Sequence, residues 1–238
     1  MDILRSRTVR LNGSTNASVR DPAPSRGDFD RSWFMDSPQI HTELFLLILT
    51  GGSSERMGTA KAGLAGIDGD LPNAERLVGL AHEIGAVAVQ LGERWGSPDI
   101  HIDDQPRQGP LGALKHAYES LKDISVDSRF VILACDLYRI SRRELEVLVE
   151  PRSADAVMFR VSGMVNWTAV LLSTPGLAQL SESFKSGNMS LGRAIVSIEN
   201  RVELNGDQLG LSDGLLDADD LFEYLSQRTV PSPVVLED

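Results

Sequence analysis

The chain of 238 residues is short of cysteine, of aromatic residues and of positive charge, and each shortage closes off a class of explanation. Cys135 is the single cysteine. It can form no internal disulfide, and its place in an apolar run points to a buried thiol in a reducing compartment, so a cytoplasmic location is expected. Lys and Arg number 23 against 34 Asp and Glu, a formal net charge of -11. That field has the wrong sign for broad binding to nucleic acid or to an anionic membrane surface. No apolar run approaches the roughly 20 residues that span a bilayer; Leu44 to Leu49 is as long as any. Trp33, Trp95 and Trp167 are too far apart to form a stacking platform for single strands. His41, His82, His101 and His116 show no zinc spacing, and no G-x-S-x-G nucleophile elbow occurs.

What remains is an ordinary globular composition, 42% hydrophobic and 24% charged, long enough for one α/β domain. Residues 1–42 mix arginines and aspartates with Gly, Ser, Asn and Pro and carry no apolar period; they read as a disordered arm, or as a stretch before a start at Met35. They contain no secretory core, and their aspartates do not suit a transit peptide. Residues 229–238 read as a flexible tail, which leaves 43–228 as the domain. Within it, short apolar runs at 45–50, 86–91, 99–102, 130–135, 156–160, 167–172 and 201–204 alternate with helical patterns at 73–84, 110–121, 142–149, 175–184 and 189–198. A last helix is expected from Ala218 to about Gln227. Ser141 and Glu144 have capping-box spacing. This alternation predicts an α/β fold with a mostly parallel sheet and helices on its faces. Ligands of such sheets gather beyond the carboxyl ends of the strands, here the loops after residues 50, 102 and 135.

The first of these loops begins Leu49-Thr50-Gly51-Gly52-Ser53 and continues through Arg56 to Lys61. Paired glycines let backbone N–H groups approach an anion, and Arg56 and Lys61 add positive charge. The spacing is neither that of a P-loop nor that of a dinucleotide fingerprint. Gly-Gly alone is also compatible with a plain tight turn. The third loop carries Asp136 at the tip of Phe130-Val131-Ile132-Leu133-Ala134-Cys135. A carboxylate there is costly unless it meets a cation or good partners, which makes Asp136 the best metal-ligand candidate; a turn or helix cap is the alternative.

Leu49 to Lys61 resembles the pattern L-A-G-G-x-S-x-R-M-G-x-x-K of the molybdenum cofactor guanylyltransferase-like nucleotidyltransferases, with Thr50 the single departure. Asp104 with Gly109-Pro110-Leu111 is similar to that family's aspartate and G-P-L segment, and Cys135-Asp136 to its C-D-x-P, with Tyr138 in place of proline. The resemblance implies a Rossmann-like three-layer α/β/α nucleotidyltransferase fold. It implies that the backbone of Leu49, Thr50, Gly51, Gly52 and Ser53 and the ammonium of Lys61 hold the triphosphate of GTP, and that Arg56 assists. It also implies that Asp136 binds Mg²⁺ and that Asp104 and Gly109 lie at the base or ribose, with Asp103 the neighbouring alternative to Asp104. Gln90 stands where the family has a nucleotide-binding asparagine, though a strand-end glutamine needs no function. The implied reaction moves GMP from GTP to molybdenum-molybdopterin and releases pyrophosphate. Ser186-Gly187-Asn188-Met189-Ser190-Leu191 resembles an acceptor-side segment, but the terminal asparagines and proline of the family are missing around Asp217. The acceptor side therefore also admits a cytidylyl-, phospholactate- or sugar-phosphate enzyme, or a nucleotide-binding protein without catalysis.

Overall fold

A computed structural model of the chain describes residues 43–51, 61–66, 69, 71–103, 108–121, 124–217 and 224–225. The expected arm at 1–42 and tail at 229–238 lie outside them. Among the described residues seven strands form one sheet: β1 (Leu44–Leu49), β2 (Val87–Leu91), β3 (Ile100–Ile102), β4 (Arg129–Ala134), β5 (Ala156–Val161), β6 (Met164–Ser173) and β7 (Arg201–Asn205), in the order β3-β2-β1-β4-β6-β5-β7. The β1–β2, β1–β4, β2–β3 and β5–β7 pairs are parallel. β6 runs antiparallel between β4 and β5. It is joined to β5 by a two-residue turn in which Ser162 and Gly163 both have positive φ, 50° and 79°, as a tight hairpin requires.

The central strands are apolar on both faces because both faces are covered. Along β1 the side chains alternate: Phe45, Leu47 and Leu49 enter one cluster, Leu46 and Ile48 the other. The first cluster is closed by α2 (Gly109–Ser120), α4 (Thr174–Lys185) and α5 (Leu191–Val196), through residues such as Leu111, Leu114, Leu177, Leu180 and Ile195. The second is closed by α1 (Asn73–Glu83) and α3 (Arg142–Val149), through Leu77, Leu80, Leu145 and Leu148. The result is the three-layer α/β/α arrangement. Phe45 and Phe130 stack at 5.3 Å between ring centroids across the β1–β4 pair.

Local chemistry fixes the helix ends. Ser141 and Glu144 form the reciprocal capping box at the start of α3. Ser173 accepts from the Gly176 amide at the start of α4. Of the expected C-terminal helix, Tyr224 and Leu225 are described, and both are helical. No helix among the described residues is long and apolar enough to cross a membrane.

Candidate nucleotide-binding site

The chain leaves β1 toward β2 and β3 on one side and returns to β4 on the other, so β1 and β4 flank the crevice where an open α/β sheet binds ligands. The strand ends are level. Leu49 of β1 pairs with Leu91 of β2 and with Ala134 of β4. Thr50 and Gly51 thus start one loop at the sheet edge where Cys135 and Asp136 form the turn of another.

At the β1 end, the amides of Thr50 and Gly51 both donate to the carbonyl of Leu91, at 3.0 and 3.2 Å, and the Thr50 hydroxyl donates to the same oxygen at 3.1 Å. Thr50, the departure from the family pattern, is therefore buried and ties the loop's first step to β2. These two amides are engaged within the fold. Gly52, Ser53 and Arg56 lie outside the described residues. Gly92, just past β2, has φ of 118°, and a Cβ on it would lie 2.5 Å from the Gly51 nitrogen. That residue was not singled out in the sequence, where a lone glycine after a strand carries no distinguishing signal.

Lys61 re-enters as the first residue of a short 3-10 turn, Lys61–Gly63. Its Nζ donates to Asp136 Oδ2 at 3.2 Å, with side chains 18% and 15% exposed. The sequence placed these two residues 75 positions apart in different loops; the fold makes them a pair. Burial pushes the Asp136 carboxyl above its ordinary range, the Lys61 ammonium pulls it back down, and Asp217 adds to the upward push. Asp136 Oδ1 is buried and has no hydrogen-bond partner among the described residues. An orphan carboxylate oxygen beside a lysine at a strand end is suited to a hard cation. No group of three or more His, Cys, Asp or Glu side chains converges among the described residues. The donor set therefore fits an ion that takes one protein carboxylate and completes its shell with water and phosphate oxygens, as Mg²⁺ does. The neighbouring Cys135 thiol is buried and pushed up to about 12 by that burial, so it is no nucleophile.

The turn that carries Asp136 is anchored by a polar group the sequence reading passed over. Asn73, fully buried at the start of α1, donates to the Cys135 carbonyl at 2.9 Å. Arg76 donates to Asn73 Oδ1 at 2.8 Å, to the Leu137 carbonyl at 3.0 Å and to the Ile140 carbonyl at 2.6 Å. The only available signal was an asparagine and an arginine three apart at the start of an otherwise apolar helix face.

Gln90 differs from the expected strand-end residue. It is completely buried, accepts from the Trp95 amide at 2.7 Å and donates to the Trp95 carbonyl at 2.8 Å. Residues 92–99 fold back over the end of β2, so the amide orders that loop instead of facing a ligand. At the β3 end, α2 begins at Gly109 with φ of 65°, and its N-cap residue Gln108 makes no capping bond. The positive end of a 12-residue helix thus starts beside the sheet edge. Asp103 is 93% exposed, with His101 Nε2 at 3.8 Å. Asp104 lies outside the described residues.

Comparison with known proteins agrees with this layout. A family model described as the MobA-like NTP transferase domain matches residues 46–201. A search of curated proteins finds no match. Among solved structures, molybdopterin-guanine dinucleotide biosynthesis protein A from Archaeoglobus fulgidus is 16% identical, with 77% of this chain and 96% of that one covered and a TM-score of 0.61. Bifunctional IspDF from Campylobacter jejuni is 16% identical, with 81% and 56% covered and a TM-score of 0.58. The 2-C-methyl-D-erythritol 4-phosphate cytidylyltransferase from Thermus thermophilus is 10% identical, with 79% and 98% covered and a TM-score of 0.56. At these identities the likeness is one of fold.

Proposed function

The chain belongs to the MobA-like NTP transferase family, and on that premise we propose that it is a Mg²⁺-dependent guanylyltransferase that moves GMP from GTP to molybdenum-molybdopterin and releases pyrophosphate. The observation that carries this reading is the Lys61–Asp136 pair at the β1/β4 switch point, with the second oxygen of Asp136 left without a protein partner. In the reaction a phosphate oxygen of the acceptor attacks the α-phosphorus, the bond from that phosphorus to the β-phosphate bridging oxygen breaks, and pyrophosphate leaves with the electron pair. No covalent bond to the protein is needed.

The chain's own residues position and neutralise. Lys61 reaches the triphosphate with a compact positive charge on a side chain already pulled to the crevice by Asp136. Asp136 would hold Mg²⁺ through its unpartnered oxygen, and the bound ion would supply charge neutralisation on the phosphate oxygens. The Asn73 and Arg76 bonds fix the backbone on either side of Asp136, so the carboxylate is oriented before substrate arrives. The start of α2 adds partial positive charge at the same edge.

One observation favours a second reading, in which the same chemistry uses another NTP. The amide of Gln90, at the place of the family's nucleotide-binding asparagine, is occupied by Trp95. A thermal-shift panel of GTP, CTP, ATP and UTP with Mg²⁺ decides between them. GTP giving the largest rise in melting temperature supports the guanylyl reading, a larger rise with CTP or UTP replaces it, and no rise with any of the four removes the nucleotidyltransferase reading.

A further inference from the structure

Two tyrosines far apart in sequence meet behind Lys61. Tyr138 follows the Asp136 turn and is completely buried; Tyr224 belongs to the C-terminal segment and is also buried. Their rings lie 4.7 Å apart between centroids at 61°, an edge-to-face contact. Each phenol then donates to the same short stretch of backbone: Tyr138 to the carbonyl of Lys61 at 3.3 Å, Tyr224 to the carbonyl of Ala65 at 3.0 Å. Leu64, between the two carbonyls in sequence, packs against the ring pair.

The opposite side of that stretch is bonded to α1 and the residues before it. The Asn73 amide donates to the Leu64 carbonyl at 2.7 Å, the Gly66 amide donates to the Leu71 carbonyl at 3.0 Å, and Ala65 and Pro72 form an isolated bridge. Residues 61–66 are thus clamped between the start of α1 and the tyrosine pair. Lys61 is the first of them. A long, flexible lysine holds its ammonium in one place only if its backbone is placed, and here Tyr138 bonds the Lys61 carbonyl while Tyr224 packs on Tyr138 and bonds the carbonyl of Ala65 in the same stretch.

We propose that Tyr138 and Tyr224 are positioning residues for Lys61, through which the C-terminal segment sets the polyphosphate-binding geometry of the β1/β4 crevice. The inference rests on the nucleotidyltransferase reading for what Lys61 contacts, and not for how Lys61 is held. A buried pair with purely structural duty would lower stability and leave polyphosphate affinity alone. A positioning pair lowers affinity in variants that remain folded.

The test uses the full chain as wild type, Tyr138→Phe, Tyr224→Phe and Tyr224→Leu, with magnesium tripolyphosphate as the probe. Each phenylalanine variant keeps its ring and loses one hydroxyl, so folding is preserved even where Tyr224→Leu is poorly folded. Hydrogen exchange of residues 61–66 without ligand is expected to accelerate about tenfold in Tyr224→Phe, while β1 and β4 amides are unchanged. Titration calorimetry is expected to show tripolyphosphate binding weakened about fivefold in both phenylalanine variants. Unchanged exchange in residues 61–66, or affinity within about twofold of wild type in both variants, overturns the proposal. Wild type that binds tripolyphosphate yet releases no pyrophosphate from any NTP defeats the functional reading and leaves the clamp to be judged on exchange and affinity. Wild type that does not bind tripolyphosphate defeats both.

Discussion

Lys61 Nζ sits 3.2 Å from Asp136 Oδ2, while Asp136 Oδ1, buried on the same carboxylate, has no partner among the described residues. One oxygen is paired with the lysine and the other is not. This asymmetry gives the two residues separable roles and separable signatures.

Replacing Lys61 by alanine removes the cation that offsets a buried carboxylate and the charge that would meet the triphosphate. Turnover is expected to fall by about 10²–10³, the range seen when one preorganised electrostatic group is lost. The fold is expected to persist. A pyrophosphate-release assay with circular dichroism of the same preparation checks both.

The Asp136 carboxyl has a folded-state pKa above its ordinary 3.8, chiefly through burial. Between the two values the folded protein keeps a proton that the unfolded chain releases. Its contribution to stability is therefore full below the ordinary value and is lost as pH rises through the folded pKa. Wild type should lose stability relative to Asp136→Asn as pH is raised through that window, measured by urea denaturation. Mg²⁺, which needs the ionised carboxylate, should bind more tightly over the same rise.

Asn73→Ala leaves the Cys135 carbonyl without its side-chain donor and Arg76 without its Asn73 acceptor. A cost of about 1–3 kcal/mol is expected from the unsatisfied buried groups. Because the Asp136 turn loosens, Mg²⁺-dependent nucleotide affinity should drop in the folded variant as well. Denaturant midpoints and nucleotide titrations measure the two effects.

Gly92→Ala places a Cβ 2.5 Å from the Gly51 nitrogen at a φ of 118°. Backbone must move, since neither neighbour is a flexible side chain. A loss of more than about 1 kcal/mol is expected, with nucleotide affinity falling alongside it, whereas Gly79→Ala on α1, where nothing lies within 4 Å, should be neutral or stabilising. Thermal denaturation of the two variants compares them directly.

The sheet and its helices were legible because their signals are local. The continuous apolar run of β1, the Ser141–Glu144 spacing and the Pro110 start of α2 each depend on neighbours in sequence. Asp136 was legible too, as a charge ending an apolar run. The partners that make these residues a site were not. Asn73 reaches the Cys135 carbonyl across 62 positions and Tyr224 reaches Ala65 across 159, and nothing in a linear pattern encodes such pairings. Gln90 read as a strand-end residue because residues 92–99 carry no sign that they fold back; the pairing of its amide with the Trp95 backbone appears only in three dimensions. Asp104, Gly52, Ser53 and Arg56 lie outside the described residues, so their assignments still rest on the family pattern.

The most direct test follows the α-phosphate. With NTP labelled there, Mg²⁺ and molybdenum-molybdopterin, wild-type protein is predicted to transfer label to the acceptor and to release pyrophosphate in equal amount, with both products lost in Asp136→Ala. Equal turnover in Asp136→Ala and wild type, or release of orthophosphate in place of pyrophosphate, would contradict the account.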